Sequence, residues 1–455
     1  MRRGWIGGML GLAWQVALAQ TGMDPGFGEH GWQTLDLAAG VEDRAYAACE
    51  QADGRLLVVG SRGNDNLSVR RLHADGSLDA DFAPRDHRLD LVALGDAPAL
   101  CTPDGGVLVV LRIAAAGGGE FLQVHKFDAS GQRDPAFNQG AMLEVDVSAG
   151  NAALTGEQRP LGVNRADDGE YLVTGGVRLL GTGGFQPFLL RIDAAGHLRD
   201  FGTVAVAGMG SETTASAAVP AAGNTLWLVG DGYHLQQRYR AFRLVLDAQT
   251  LAVLRTDISD DDGVQLKGAR LLRPGVLVAG AVQRNGSSPG EPRLLVLRDA
   301  SMTLLALPQP APLPLGSAAG LGTGIDAHDL TVARVDADRV LFASGAEAFD
   351  AGDTFLGYKG YYLAAARIGV GVADDQVLTD FGNGGSLSLS YTRPMEPGCA
   401  GNVRDQFHAQ VALSLRRPLL VGHAAHDCPA GGGSDWLLAR IDHPFDRTFA
   451  DGFEP

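Results

Sequence analysis

The sequence predicts an all-β fold: a seven-bladed β-propeller of four-stranded antiparallel blades, its ring closed by an N-terminal strand. Three observations predict it. Short Val- and Leu-rich runs recur about every sixty residues, each bounded by glycine or Asp-Gly. A turn with an acidic residue shortly before a phenylalanine returns between them. The chain also begins with the half-unit that its end lacks.

The runs are GRLLVVGS (54–61), GGVLVVLR (105–112), GEYLVTGGV (169–177), NTLWLVGDG (224–232), GVLVAGAVQ (275–283), DRVLFASGA (338–346) and RPLLVGHAA (417–425). Their length and their Val and Leu content are those of strands rather than helices. In the first unit AYAACEQ (45–51) turns at Ala52-Asp53-Gly54 into RLLVVGS, and a loop at Gly63-Asn64-Asp65 leads to LSVRRLH (67–73). Asp-Gly supplies the positive φ of a tight hairpin without a Cβ clash, so these three strands are expected to be antiparallel neighbours.

LHADGSLDADF (72–82) is followed by FDASGQRDPAF (127–137) and IDAAGHLRDFG (192–202). After a third strand the chain must turn sharply and start another. The phenylalanine is expected to anchor that turn in the core, and the preceding aspartate to cap local backbone N–H groups. The pattern is read as keeping its spacing in all three copies.

WQTLDL (32–37) follows a turn, Met23-Asp24-Pro25-Gly26-Phe27-Gly28, whereas the chain finishes on a third strand and a turn, DWLLARIDHPFDRTFADGF. The strand missing at the end is present at the start. Pairing the two closes the circle and leaves no long sheet edge exposed. A linear solenoid would leave this complementarity unexplained.

The 455 residues carry 53 Asp and Glu against 37 Lys and Arg, a net charge of −16, with lysine nearly absent. Such acidity argues against non-specific nucleic-acid binding and against docking on anionic lipid. Met1-Arg2-Arg3, the apolar run WIGGMLGLAWQVALA and Ala17-Leu18-Ala19 read as a cleavable leader. The expected organisation is a signal peptide over 1–19 and one propeller domain over 20–455. The protein is expected to be secreted, periplasmic or at the cell surface of a Gram-negative bacterium, without a membrane span, and monomeric.

DPGFGEHGWQTLDL, YAACEQADGRLLVVGS and VRRLHADGSLDADF resemble the delta-60 repeat of bacterial secreted and surface proteins. The likeness covers 24–137 well and 160–202 less well. It weakens over 239–370 and returns at Leu378-Thr379-Asp380-Phe381-Gly382. The resemblance implies a propeller and export, and it carries no catalytic residues to transfer.

Four cysteines in an exported chain point to disulfides. Cys399 and Cys428 flank a predicted hairpin at the same end, so a bridge between them is expected. Cys49 and Cys101 occupy equivalent sites in consecutive units. At a radius of about 8 Å sevenfold spacing separates such sites by roughly 7 Å, the edge of disulfide reach. They bond only if their strands are innermost, and two buried free thiols are the competing reading.

His423, His426 and Cys428 form the most metal-like stretch, but residues three apart on a strand point to opposite faces. Asp257 to Gly263 resembles a calcium loop in composition, yet Ile258 falls where a ligand belongs. Both are read as solvated loop or connection residues. Trp32, Trp227 and Trp436 sit in strand patterns and are expected in the core. No cofactor, metal site or catalytic residue is assigned. The function expected is that of a non-catalytic binding or scaffolding propeller taking a protein or glycan on one loop face. The alternative is a hydrolase or lyase with an acidic or calcium-assisted site at the central channel.

Overall fold

The computed structural model describes residues 22–38, 40–89, 93, 97–114, 119–234, 238–284, 290–311, 322–349, 355–390, 410–413, 417–426 and 433–442. The chain is an all-β propeller of antiparallel sheets. Each Val- and Leu-rich run forms the second strand of an antiparallel set, and most side chains in these strands are buried. Sheets covered on both faces demand this near-continuous apolar character, which is why the signal is legible in the sequence.

The first sheet comprises Asp43–Glu50, Leu56–Arg62, Asn66–Leu72 and Arg85–Arg88; the second comprises Ala99–Cys101, Val107–Ala114, Glu120–Phe127 and Leu143–Val145. A double sheet of eight strands follows. Its leading half is Leu154–Arg165, Tyr171–Leu179, Phe185–Ile192 and Leu198–Thr203; its trailing half is Met209–Ala221, Thr225–His234, Tyr239–Asp247 and Val253–Ile258. The fourth sheet runs through Val264–Arg273, Val276–Gln283, Glu291–Arg298 and Ser301–Ala306. The fifth has Gly322–Arg334, Arg339–Phe349 and Phe355–Arg367, with Gln376–Val377 and Ser386–Ser390 both paired to the last of these. The closing sheet joins Gln410–Leu413, Pro418–His426 and Gly433–Arg440 to Trp32–Leu35.

Seven separate four-stranded sheets are therefore not what the hydrogen bonding gives. Among the described residues, five sheets of four or five strands stand beside one of eight, whose halves are fused by a single parallel bridge, Phe185 to Glu212. The cause is local. The third copy of the turn lacks the Asp-x-x-Phe spacing, because Leu198 stands three residues before Phe201, where Asp79 stands before Phe82. The chain runs straight into the strand Leu198–Thr203, and Phe201 stays 39% exposed instead of anchoring a turn.

First strands of successive sets lie side by side: Asp43–Glu50, Ala99–Cys101, Leu154–Arg165, Met209–Ala221, Val264–Arg273, Gly322–Arg334, Gln410–Leu413 and back to Asp43–Glu50. The circuit is closed by Trp32–Leu35, antiparallel to Gly433–Arg440 with Trp32 opposite Ala439 and Leu35 opposite Trp436. Asp24 N–H donates to Arg440 O at 2.9 Å, while the Asp24 carboxylate accepts from Arg440 Nε at 2.6 Å and from Arg417. Burial alone would raise this carboxyl; the Gly26 N–H and the two guanidiniums outweigh it and hold it below the ordinary aspartate value.

In its first copies the recurring turn latches one unit to the next. Asp79 accepts Asp81 N–H at 3.0 Å and Arg71 Nε at 2.7 Å; Asp134 accepts Ala136 N–H at 2.9 Å and Lys126 Nζ at 2.5 Å. Phe27, Phe82 and Phe137 are buried, each against the turn glycine of the following unit: Gly76, Gly131 and Gly196. A Cβ on Gly131 would lie 2.7 Å from the Phe82 ring, at a backbone φ of +73° that side chains avoid. Arg440 and Arg71 cover the Phe27 and Phe82 rings at 4.7 and 4.8 Å. Where no buried phenylalanine makes this contact, an arginine reaches over instead. Arg191 donates to Ala248 O at 2.6 Å, Arg243 to Arg298 O at 2.5 Å and Arg298 to Gly369 O at 3.1 Å.

Phe137→Ala empties such a seat. Denaturant unfolding is expected to show a loss of about 3–5 kcal/mol, and an unchanged midpoint would mean that the latch is ornamental.

Candidate functional site

Several polar side chains from which a site could be built lie on or beside the first strands. Asp43 opens the first of these strands, and its carboxylate accepts N–H bonds from Leu37, Ala38 and Gly63 at 3.0, 3.1 and 3.0 Å. Burial pushes its pKa up to about 6 against the pull of those three donors. The group therefore fastens the closing strand's exit to the first sheet.

Between the second sheet and the double sheet lies an arginine–carboxylate network. Arg112 grips Glu120 through two bonds of 2.5 and 2.6 Å and lies 3.5 Å from Glu157, which also takes Arg159 at 2.7 Å and Arg178 at 2.5 Å. Burial would raise the Glu157 carboxyl, but Arg178 and Arg159 hold it below the ordinary glutamate value. Gln158 completes the joint, donating to Glu120 O at 2.9 Å and Asp146 Oδ1 at 2.6 Å.

The trailing half of the double sheet presents a different cluster. Tyr239 Oη donates to Glu212 Oε2 at 3.0 Å, and Tyr233 meets the Tyr239 ring edge-on at 4.6 Å. Burial, and then Glu212, raise the Tyr239 hydroxyl well above the ordinary tyrosine value, so this phenol stays protonated. Asp231, 8% exposed, is pushed up to about 7 by burial, with the Leu266 N–H and the Lys267 charge pulling the other way. A carboxylic acid that titrates near neutrality is chemically able to donate a proton.

Cys49 and Cys101 form a disulfide with Cα atoms 5.4 Å apart, as strands lining the inner circuit require. It joins the first sheet to Ala99–Cys101, a first strand of only three residues. Cys399 and Cys428 lie outside the described residues. His423 is buried in the strand Pro418–His426, opposite Trp436. Among the described residues no group of three His, Cys, Asp or Glu could hold a metal ion. In the calcium-like stretch Asp257 accepts Arg243 Nε at 2.8 Å and Asp262 accepts Arg240 Nε at 2.7 Å, and the segment connects the double sheet to the fourth. Trp227 and Trp436 are buried, and Trp32 stacks on Tyr361 with centroids 6.1 Å apart.

Sequence reasoning assigned no catalytic residue and missed Asp231, Glu212 and Tyr239. It also missed Arg270, whose Nη1 donates to Ala269 O at 3.0 Å and reaches Asn164 Oδ1 at 3.4 Å across the circuit. Glu212 and Arg270 lie on first strands that were not among the runs quoted above, Tyr239 opens a third strand, and Asp231 stands in a quoted run, NTLWLVGDG.

A family described as "Domain of unknown function (DUF5122) beta-propeller" matches residues 51–82, a part of the first sheet. No curated protein matches the chain. Among solved structures it is similar to the Hadza microbial sialidase Hz136, at 12% identity and a TM-score of 0.44, over 86% of this chain and 74% of that one. It is also similar to the Trypanosoma rangeli sialidase in complex with the inhibitor DANA, at 8% identity and a TM-score of 0.44, over 82% and 58%. A puromycin-hydrolyzing peptidase of Mycobacterium tuberculosis follows at 12% identity and a TM-score of 0.40, over 87% and 61%.

The raised Asp231 carboxyl has a consequence for stability. Its folded pKa lies above the ordinary value of 3.8, so as pH rises toward 7 the unfolded chain ionises while the folded chain resists. Stability therefore falls across that window, by up to about 4 kcal/mol. Asp231→Asn should flatten the slope in unfolding curves recorded between about pH 4 and pH 7; an unaltered slope would refute the assignment. Reducing Cys49–Cys101, 52 residues apart, should cost about 4 kcal/mol. Thermal unfolding with and without reductant, with mass analysis to verify the open thiols, measures it.

Proposed function

We propose that the chain is an exported, non-catalytic propeller that binds a protein or glycan through the loops of one face. The observation that carries this reading is how the rim carboxylates are used. Asp43 is held by three backbone amides, Glu120 and Glu157 by arginines, and Asp262 by Arg240 and Arg238. Carboxylates bound this way stiffen a scaffold and have little freedom for acid–base work. The ring counts as seven blades when the double sheet is divided at its Phe185–Glu212 bridge. Its repeats belong with the delta-60 type, a reading the family match at 51–82 supports.

Residues 1–19 serve as the export leader, residues 20–455 form one domain, and the mature protein acts as a monomer in the periplasm or outside a Gram-negative cell. The Cys49–Cys101 disulfide supports an oxidising compartment, and among the described residues no helix is long and apolar enough to cross a membrane. Cys399 and Cys428 form the second bridge.

One observation favours a second reading, a hydrolase. Asp231 titrates near neutrality, and in its ionised form it adds to the burial and the Glu212 charge that raise the Tyr239 hydroxyl. Purified residues 20–455 should bind on a glycan or protein array and leave a panel of chromogenic glycosides and esters intact. Turnover that disappears in Asp231→Asn or Glu212→Gln would overturn the binding reading and establish the enzyme.

A further inference from the structure

Two histidines sit in the joint between the first and second sheets. His125 stands on Glu120–Phe127 and is 1% exposed; His87 stands on Arg85–Arg88, the outermost strand of the first sheet. Both rings lie against Phe127, with centroids 4.7 Å away for His87 and 6.3 Å for His125. A relay of hydrogen bonds fixes the tautomer of His125. The Gln123 amide nitrogen donates to Glu144 Oε1 at 2.8 Å, which turns its carbonyl oxygen toward His125 Nε2 at 3.2 Å. Nε2 therefore carries the proton, and Nδ1 presents a lone pair. That Nδ1 is buried and meets no hydrogen-bond partner, and the same holds for His87 Nε2. A proton added at either atom would be a buried N–H without an acceptor.

We propose that this joint is an acid-released clasp: protonation of His125 and His87 parts the outer strands of the first and second sheets, while the Cys49–Cys101 bridge holds their inner strands together. Among the described residues, the charged groups around the two rings mostly oppose that proton while the joint is closed. Arg133 acts against it on both rings and Arg85 on His87, whereas the Gly131 backbone and Asp86, which is paired with Arg62 and Arg70, favour it on His87. Glu144 is engaged by Gln123, and Arg71 is paired with Asp79. Burial is the largest effect and lowers both imidazoles, His125 to about 3. A charged His87 would keep some attraction to the Phe127 ring, so His125 carries the larger share.

The parted strands take up imidazole protons below about pH 6.5, and the closed joint resists them. The clasp is therefore at full strength above that pH and weakens as pH falls through it. Asp43 and Asp231, at about 6 and about 7, act in the opposite sense, because a raised carboxyl favours the folded state as pH falls. Opening bares Val69, Val109 and Phe127, which share one buried cluster. An exported chain meets the acidity of its surroundings directly, and the inference holds whatever the loop face binds.

Amide hydrogen exchange of the purified protein between about pH 7 and about pH 5, corrected for the intrinsic pH dependence of exchange, tests the clasp. The opening constants of Arg85–Arg88 and Glu120–Phe127 should rise by up to about tenfold per pH unit for each histidine. Asp43–Glu50 and the distant strand Val276–Gln283 should keep their protection. His125→Gln, which cannot take a charge, should remove the larger part of the rise, and adding His87→Gln should remove the rest. An equal rise in Val276–Gln283 or in Asp43–Glu50 would overturn the proposal, as would a rise that persists unchanged in the double variant. Should the variants fail to fold, the imidazole nitrogen-15 shifts of the unaltered protein decide. At about pH 6 His125 should be the neutral Nε2–H tautomer, and a charged His125 ring in the closed protein would sink the clasp.

Discussion

The hydrogen bonds between Trp32–Leu35 and Gly433–Arg440 are the constraint on which the rest of the molecule depends. A ring of sheets has no axis until its first and last units meet, so the inner circuit and the rim networks around it presuppose that pairing. Bringing segments some four hundred residues apart together costs loop-closure entropy, which grows only slowly with length. Several interactions offset it at one place: the strand ladder, the Asp24–Arg440 ion pair, Arg440 over the Phe27 ring, and Trp436 Nε1 donating to Ser61 O at 2.8 Å. Ser434 adds a bond from its hydroxyl to Asp43 O at 2.9 Å, tying the closing sheet to the first.

Much of this was legible in the amino acids. The Val- and Leu-rich runs could be found because a strand buried on both faces has no polar alternative. The closing strand could be found because a missing half-unit is a matter of order, which sequence records directly. The turn was only half legible. Asp79 and Phe82 behave as their chemistry suggests, but Gly76 and Gly131 do two things at once. They supply a positive φ, which a reader expects of Asp-Gly and Ser-Gly, and they leave an empty seat for the preceding unit's phenylalanine. That second duty is a tertiary contact between units, and no local pattern encodes it.

The fusion of two sheets was not legible, because it rests on a single bridge between strands of different units, Phe185 to Glu212. The candidate site was less legible still. Asp231 lies in NTLWLVGDG, where it reads as turn chemistry, yet the strand continues to His234 and buries it. Arg270 sits in a run that alternates as any half-exposed strand does. Its hydrogen-bond partner Asn164 is 106 residues away. Single-residue environments of this kind are set by how strands from different units approach the axis, and repeat patterns carry no information about that approach.

The stitched ends also dictate an order of events. Residues 32–35 are synthesised before the hairpin that will receive them, so this strand must wait with its backbone unsatisfied while every intervening sheet forms. During that wait the strand of one molecule and the vacant edge at Gly433–Arg440 of another are chemically indistinguishable from the proper pair. At high concentration the same bonds that complete a solitary ring would link neighbours head to tail into exchanged chains.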